Sequence, residues 1–240
     1  MTLALALRGS NGLVLAADSR MSGPVGSADT SIKFLQVNRE IGVMTYGLTE
    51  VGYLAITKLA DEVNRTTEFR EIRKRIVYYS EIADVAERIF KSTFDDWVRT
   101  NKDKIPGLTR DSPQLATGFI LGGYDSNETN QFRIINWASP DFVRSERPDI
   151  LAAQWGIAQY VLQHAYYPEM TVRQLTKLAV FQLVETETIS QTVGGPLQVA
   201  TVTLESGFQK LSEKEVDTII EENQPRFAEF RKILIDELRT

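Results

Sequence analysis

A threonine at position 2 carries two reactive groups once the residue before it is removed. Its hydroxyl is a weak nucleophile. An exposed α-amine, with a reference pKa of about 7.7–8.0, is partly unprotonated at neutral pH and can take the hydroxyl proton. Thr2 follows Met1, and methionine aminopeptidases act where the second residue is small, so a mature chain is expected to begin at Thr2. Such a residue supplies nucleophile and base together and needs no thiol or imidazole. That matters in a chain with no cysteine and one histidine. Those counts exclude a disulfide framework, a Cys–His dyad and the common Cys/His zinc sites. His164, in "YVLQHAYYP" near the end of a predicted helix, reads as a packed or surface side chain; a Ser–His–Asp triad would have to use it.

The elements that must hold Thr2 begin at once. Residues 3–8 ("LALALR") and 13–18 ("LVLAAD") are short apolar runs split by "GSNG", whose Gly, Ser and Asn suit a tight turn. With residues 9–12 as the loop, hairpin partners sum to about 21, which sets Thr2 opposite Ser19 and beside Asp18. Both runs are apolar at nearly every position, the pattern of strands covered on both faces. Further strands are predicted at 31–37 and 40–47.

After Gly47 the period becomes helical. Val51, Leu54, Ala55, Leu59 and Val63 mark a helix over 48–66; Ile82, Val85, Ala86, Ile89, Phe90, Thr93 and Trp97 mark another over 80–99, with Ser80 as its N-cap. Residues 101–113 read as a loop from their Pro, Gly and charge content. Strands follow at 115–124 and 131–138 and near 142 and 152, then helices at 156–166 and 171–188 and a strand at 197–204. A charged helical tail is expected over 212–238, broken or kinked at Pro225. Runs of strands separated by helix pairs predict a layered α+β fold in a single domain, 1–240, with a charged tail from about 207.

Composition agrees with a globular protein: 42% hydrophobic and 25% charged residues. A net charge of −5 argues against nucleic acid or an anionic membrane as partner. The basic run "REIRKR" (70–75) carries Glu71 and follows Glu68, and reads as a solvated helix end. No stretch reaches the roughly 18 apolar residues of a spanning helix, and the start has no signal-peptide pattern, so a cytoplasmic location is expected. The sequon "NET" (127–129) therefore has no secretory context.

"TLALALRGSNGLVLAADSR", followed by "KFLQV" and "GVMTYG", resembles the start of a proteasome β-type subunit, an N-terminal nucleophile (Ntn) hydrolase of the threonine peptidase type. "LGGYD" (121–125) and Gly194-Gly195 before "VATVTL" extend the likeness to about residue 205, strongly over the first 50 residues and thinly beyond. The resemblance implies a four-layer αββα sandwich. It implies Thr2 as nucleophile, Asp18 as acidic partner, Lys33 as the lysine, Gly47 as the oxyanion-hole glycine, and Arg20 as the arginine after the acid.

The chemistry of these types fits those roles. A lysine beside Thr2 would lower the amine and hydroxyl pKa values, and an acid would hold it charged. A glycine N–H at a strand end can face developing negative charge. Thr45, two residues before Gly47, would point to the same side and line the substrate pocket without selecting for charge. The resemblance further implies peptide or unfolded-protein substrates, stacked homo-oligomeric rings, an ATP-dependent unfoldase as partner, and no cofactor or metal. The late serine and aspartate of the family are missing: "LAAQWG" (151–156) and "ETISQTVGG" (187–195) offer only Ser190 and Thr192 as replacements. A non-catalytic ring subunit therefore stands as the alternative. The absence of an extra helix before the first strand favours the β type over the α type. HslV-like peptidases and compact bacterial proteasome homologues share the same opening.

Overall fold

The computed structural model describes residues 3–23, 26–29, 31–70, 78–125, 131–152 and 156–238. Thr2, residues 71–75 of the basic run and the 127–129 sequon fall outside them. In chain order the elements are β1 (Ala4–Arg8), β2 (Leu13–Ala17), β3 (Met21–Gly23), β4 (Gly26–Ala28), β5 (Phe34–Gln36), β6 (Ile41–Gly47), α1 (Thr49–Arg70) and α2 (Tyr79–Asn101). There follow β7 (Thr117–Tyr124), β8 (Phe132–Ala138), β9 (Ser145–Glu146), β10 (Asp149–Ala152), α3 (Gly156–Ala165), α4 (Val172–Ile189), β11 (Gln198–Thr203), β12 (Gly207–Lys210) and α5 (Glu213–Leu238).

The opening hairpin forms as its sequence dictates. Ala4 pairs with Ala17 and Arg8 with Leu13, so partner numbers sum to 21. Its turn closes with Gly9 N–H donating to the Gly12 carbonyl at 2.8 Å. The turn is also docked onto the start of α4. Ser10 N–H donates to the Met170 carbonyl at 2.9 Å, and Val172 N–H donates to Asn11 Oδ1 at 2.8 Å, satisfying an amide the helix itself cannot.

Two five-stranded antiparallel sheets stack face to face, in the orders β10-β1-β2-β11-β12 and β5-β6-β7-β8-β9. Because side chains alternate along a strand, the two faces of the hairpin serve two cores. Leu3, Leu5, Leu7, Val14 and Ala16 pack under α3 and α4, while Ala4, Ala6, Leu13, Leu15 and Ala17 meet the second sheet. The sheets approach closely where Gly42 and Gly122 lie opposite bulky neighbours. A Cβ on Gly42 would sit 2.4 Å from the Phe208 ring, and one on Gly122 2.9 Å from Leu15.

The outer face of the second sheet presents Val43, Phe119, Leu121 and Trp137 to α1 and α2. There the Phe90 and Phe119 rings stack at 3.8 Å, with Trp137 edge-on to Phe90. Helices cover both outer faces, giving the four layers expected: helix, sheet, sheet, helix.

Several local expectations are corrected. Leu54 belongs to no buried stripe and is 46% exposed, because α1 meets the sheet through Val51, Ala55, Ile56 and Leu59. The N-cap of α2 is Tyr78 rather than Ser80. The carboxylate of Asp125, at the end of β7, accepts the Tyr79 N–H at 2.9 Å and starts the helix earlier. The strand expected near 142 is a turn, with Phe142 buried at φ 54°, and pairing resumes only at β9. The β3–β4 ribbon and β12, which pairs with the expected β11, are strands that went unrecognised, and α5 runs on through Pro225. His164 is exposed and packs against the Tyr160 ring at 4.3 Å. Among the described residues no helix is long and apolar enough to cross a membrane.

Candidate active site

β2 ends at Ala17, and Asp18 continues inward to full burial. Its carboxylate accepts three backbone N–H groups: Leu3 at 2.9 Å on Oδ1, and Arg20 at 3.1 Å and Gly194 at 3.3 Å on Oδ2. Leu3 is the residue after Thr2, and its carbonyl in turn accepts the Asp18 N–H at 3.3 Å. The acid thus grips the start of β1 directly. Thr2 itself lies outside the described residues.

Lys33 reaches this place from the other sheet. It sits one residue before β5 and is 2% exposed, which for a lysine demands a partner. Asp18 supplies the opposite charge. Burial pushes the Asp18 carboxyl up to about 6, against the pull of Lys33 and of the three backbone N–H groups. Burial pushes the Lys33 ammonium below its ordinary value, against the pull of Asp18. Burial thus shifts each group toward its neutral form, and their mutual attraction opposes it.

Gly47 ends β6 on the strand beside Lys33. The Lys33 carbonyl accepts the Thr45 N–H at 2.8 Å, which registers the lysine two residues from Gly47. Gly47 has φ 85°, and a Cβ there would lie 1.9 Å from the Ala116 carbonyl oxygen, so only glycine fits this turn into α1. Thr45 is buried. Its hydroxyl donates to the Gly118 carbonyl at 3.2 Å, and its side chain fills the space that Gly52 of α1 leaves open.

The loop after α4 closes the site from the third side. Arg20 straps it down, with Nη1 donating to the Val193 carbonyl at 2.9 Å and Nε to Asp29 Oδ1 at 2.9 Å. Gly194 accepts the Arg20 N–H at 2.9 Å and the Ser19 N–H at 3.2 Å. Gly195 follows at φ 76°, where a Cβ would come within 2.6 Å of Ser19 Oγ. Ser190 and Thr192 stand at the head of this loop with their hydroxyls 3.0 Å apart, and Thr192 N–H donates to Ser190 Oγ at 3.2 Å. The residues 190–195 contain no carboxylate.

The structure therefore brings Asp18, Arg20, Lys33, Thr45, Gly47 and the Ser190–Thr192 loop to one end of the two sheets. Two contributors escaped sequence reasoning. Asp29, in a segment with no periodicity, is the partner of Arg20. Gln198, whose side-chain amide accepts the Lys33 N–H and donates to the Ser31 carbonyl, was read simply as part of the strand over 197–204, although a lone glutamine in "LQVATVTL" was a visible signal. No group of three or more His, Cys, Asp or Glu side chains able to hold a metal occurs among the described residues.

Face-to-face antiparallel sheets, helices on both outer faces and an opening hairpin in the middle of the first sheet make a four-layer αββα sandwich of the proteasome-subunit-like kind. The solved structure of Anbu (ancestral beta-subunit) from Yersinia bercovieri is similar, with a TM-score of 0.70 over 99% of this chain and 97% of that one. The two chains are 15% identical, a likeness of fold. No family model matches the sequence, and no curated protein does.

Proposed function

We propose that the chain is a threonine-type endopeptidase subunit of a proteasome-like ring, a single-domain cytoplasmic protein that cleaves peptides or unfolded protein delivered by an ATP-dependent unfoldase. The observation that supports it most is the buried Asp18–Lys33 pair, with Asp18 bonded to the amide that follows Thr2. Burying both charges costs folding energy that a packed apolar pair would not, so the pair fits a chemical task better than a structural one.

In this reading the Thr2 hydroxyl attacks the scissile carbonyl carbon while the free α-amine accepts its proton. Lys33, kept charged by Asp18, stabilises the developing negative charge, and the Gly47 N–H receives the carbonyl oxygen as it becomes an oxyanion. The amine returns the proton to the leaving nitrogen, the C–N bond breaks and an acyl ester remains on Thr2. Water, deprotonated by the same amine, hydrolyses that ester and restores the hydroxyl. Thr45 lines the pocket for the side chain before the cut. Ser190 and Thr192 orient the amine.

Intact-mass measurement and a peptide epoxyketone test this together, because that warhead closes on hydroxyl and amine jointly. Loss of Met1, a stable adduct on Thr2 and no adduct on Thr2→Ala are expected. Retained Met1 in protein from its native host, with no adduct at any concentration, overturns the reading. The second reading, a non-catalytic ring subunit, is favoured by one observation: the hydroxyls of Ser190 and Thr192 bond to each other, and their loop has no carboxylate.

A further inference from the structure

Lys33 precedes the first residue of β5, so no ladder of its own sheet fixes its amide side. Its carbonyl is held by Thr45 of β6, while its N–H goes to a side chain. A side chain from the other sheet takes the vacant role. Gln198, the first residue of β11, accepts the Lys33 N–H on Oε1 at 3.2 Å and donates from Nε2 to the Ser31 carbonyl. One primary amide thereby offers the donor and acceptor that a neighbouring strand would offer to residues 31 and 33. Gln198 is itself paired through its backbone with Ala17, the residue before Asp18. The same residue thus touches the segments that carry the acid and the lysine.

We infer that Gln198 is the positioning residue of this site, setting the reach of Lys33 toward Asp18 by bridging the two sheets. The inference rests on the proposed role of the Asp18–Lys33 pair. Gln198 is 8% exposed and lines a cleft of about 530 Å³ together with Ser19, Asp29, Ser31 and Ile32; Lys33 does not line it. Removing the amide takes these two hydrogen bonds from buried backbone groups, and the segment 31–33 must shift to recover them. A shift there moves the ammonium from its carboxylate. The charges facing Asp18 are Lys33 from the segment before β5 and Arg20 just beyond β2, joined by the N–H groups of Leu3, Arg20 and Gly194.

The experiment follows the carboxyl carbon of Asp18 by NMR titration in the full chain, in four forms: wild type, Gln198→Met, Lys33→Met and the double variant. Gln198→Met keeps the length and burial of the side chain and loses only the hydrogen bonds. The wild-type midpoint should lie near 6. Each single variant should raise it by about one pH unit or more, the usual worth of a lost opposite charge. The double variant should titrate like Lys33→Met alone, because Gln198 acts through the lysine. A folded Gln198→Met with an unmoved midpoint, or an equal shift in the Lys33→Met background, overturns the inference. In the wild type itself the Lys33 amide should exchange slowly with solvent, and exchange as fast as in an exposed loop overturns it equally. Neither readout needs turnover. An inactive wild type with the expected coupling would refute the peptidase and keep the positioning role; an active one without it would do the reverse.

Discussion

Asp18 and Lys33 are opposite charges drawn from different sheets into a place water does not reach, and their chemistry is legible in pH. Below about 6 the Asp18 carboxyl gains a proton and Lys33 loses its counter-charge. Peptidase turnover should therefore rise with pH through an apparent midpoint near 6, measured as kcat/KM across pH 4.5–8. Lys33→Ala should lower the rate by about a hundredfold or more, the scale of a lost oxyanion stabiliser. Stability should respond differently. Asp18→Asn strands a buried ammonium and is expected to cost about 3–5 kcal/mol in denaturant unfolding, whereas Asp18→Asn with Lys33→Met should recover most or all of it. A pair kept for structure would show the opposite order. At this scale the sequence spoke clearly for Asp18, because hairpin arithmetic alone put it beside the chain start. It was silent on Asp29, and for Gln198 it showed only a polar residue in an apolar strand, since their partners lie 9 and 165 residues away.

Elements with strong local signals were readable, and those set by long-range packing were not. The β1–β2 register followed from two apolar runs and a Gly-containing turn, and the helices over 49–70, 79–101 and 172–189 followed from their periods. The three-residue strands β3 and β4 ("MSG", "GSA") are too short and too rich in Gly and Ser to carry a period. The start of α2 moved because a carboxylate 46 residues downstream caps it, which no local rule contains. Glycine at 42 likewise means little in the sequence "EIGVMTYG". In the fold it is the space that the Phe208 ring needs. Gly42→Ala should destabilise by about 1–3 kcal/mol through overpacking, and adding Phe208→Leu should return part of that loss. Chemical denaturation of the wild type and the two variants checks it.

For the whole molecule, the layered sandwich leaves several large apolar side chains at the surface. Tyr53 and Leu54 on α1, Tyr167 before α4 and Ile189 at its end are each about half exposed. Faces of this kind suit contact with further copies, as the ring reading requires. Sedimentation at micromolar concentration should give a mass several times 27.1 kDa. A species at the monomer mass under those conditions would remove the ring, and with it the compartment that a processive peptidase of this design depends on.

The docking of the hairpin turn onto α4 has a consequence for how the protein breathes. At one end the helix is fastened to residues 10 and 11; at the other its exit loop is fastened to residues 18–20. Between these points the chain from Asn11 to Asp18, which contains β2, advances about 23 Å at roughly 3.3 Å per residue. The 18 residues of α4 cover about 27 Å at 1.5 Å each. Strand and helix are parallel rungs of nearly equal length, closed at both ends. Neither can slide or fray without the other, so the acid, its loop and the chain start should open only in a single large fluctuation. Native-state hydrogen exchange should report one shared opening free energy for β1, β2 and α4, well above that of the outer turns of α5. Asn11→Ala, some 180 residues from that loop in sequence, should lower the protection of the Gly194 amide along with that of Val172.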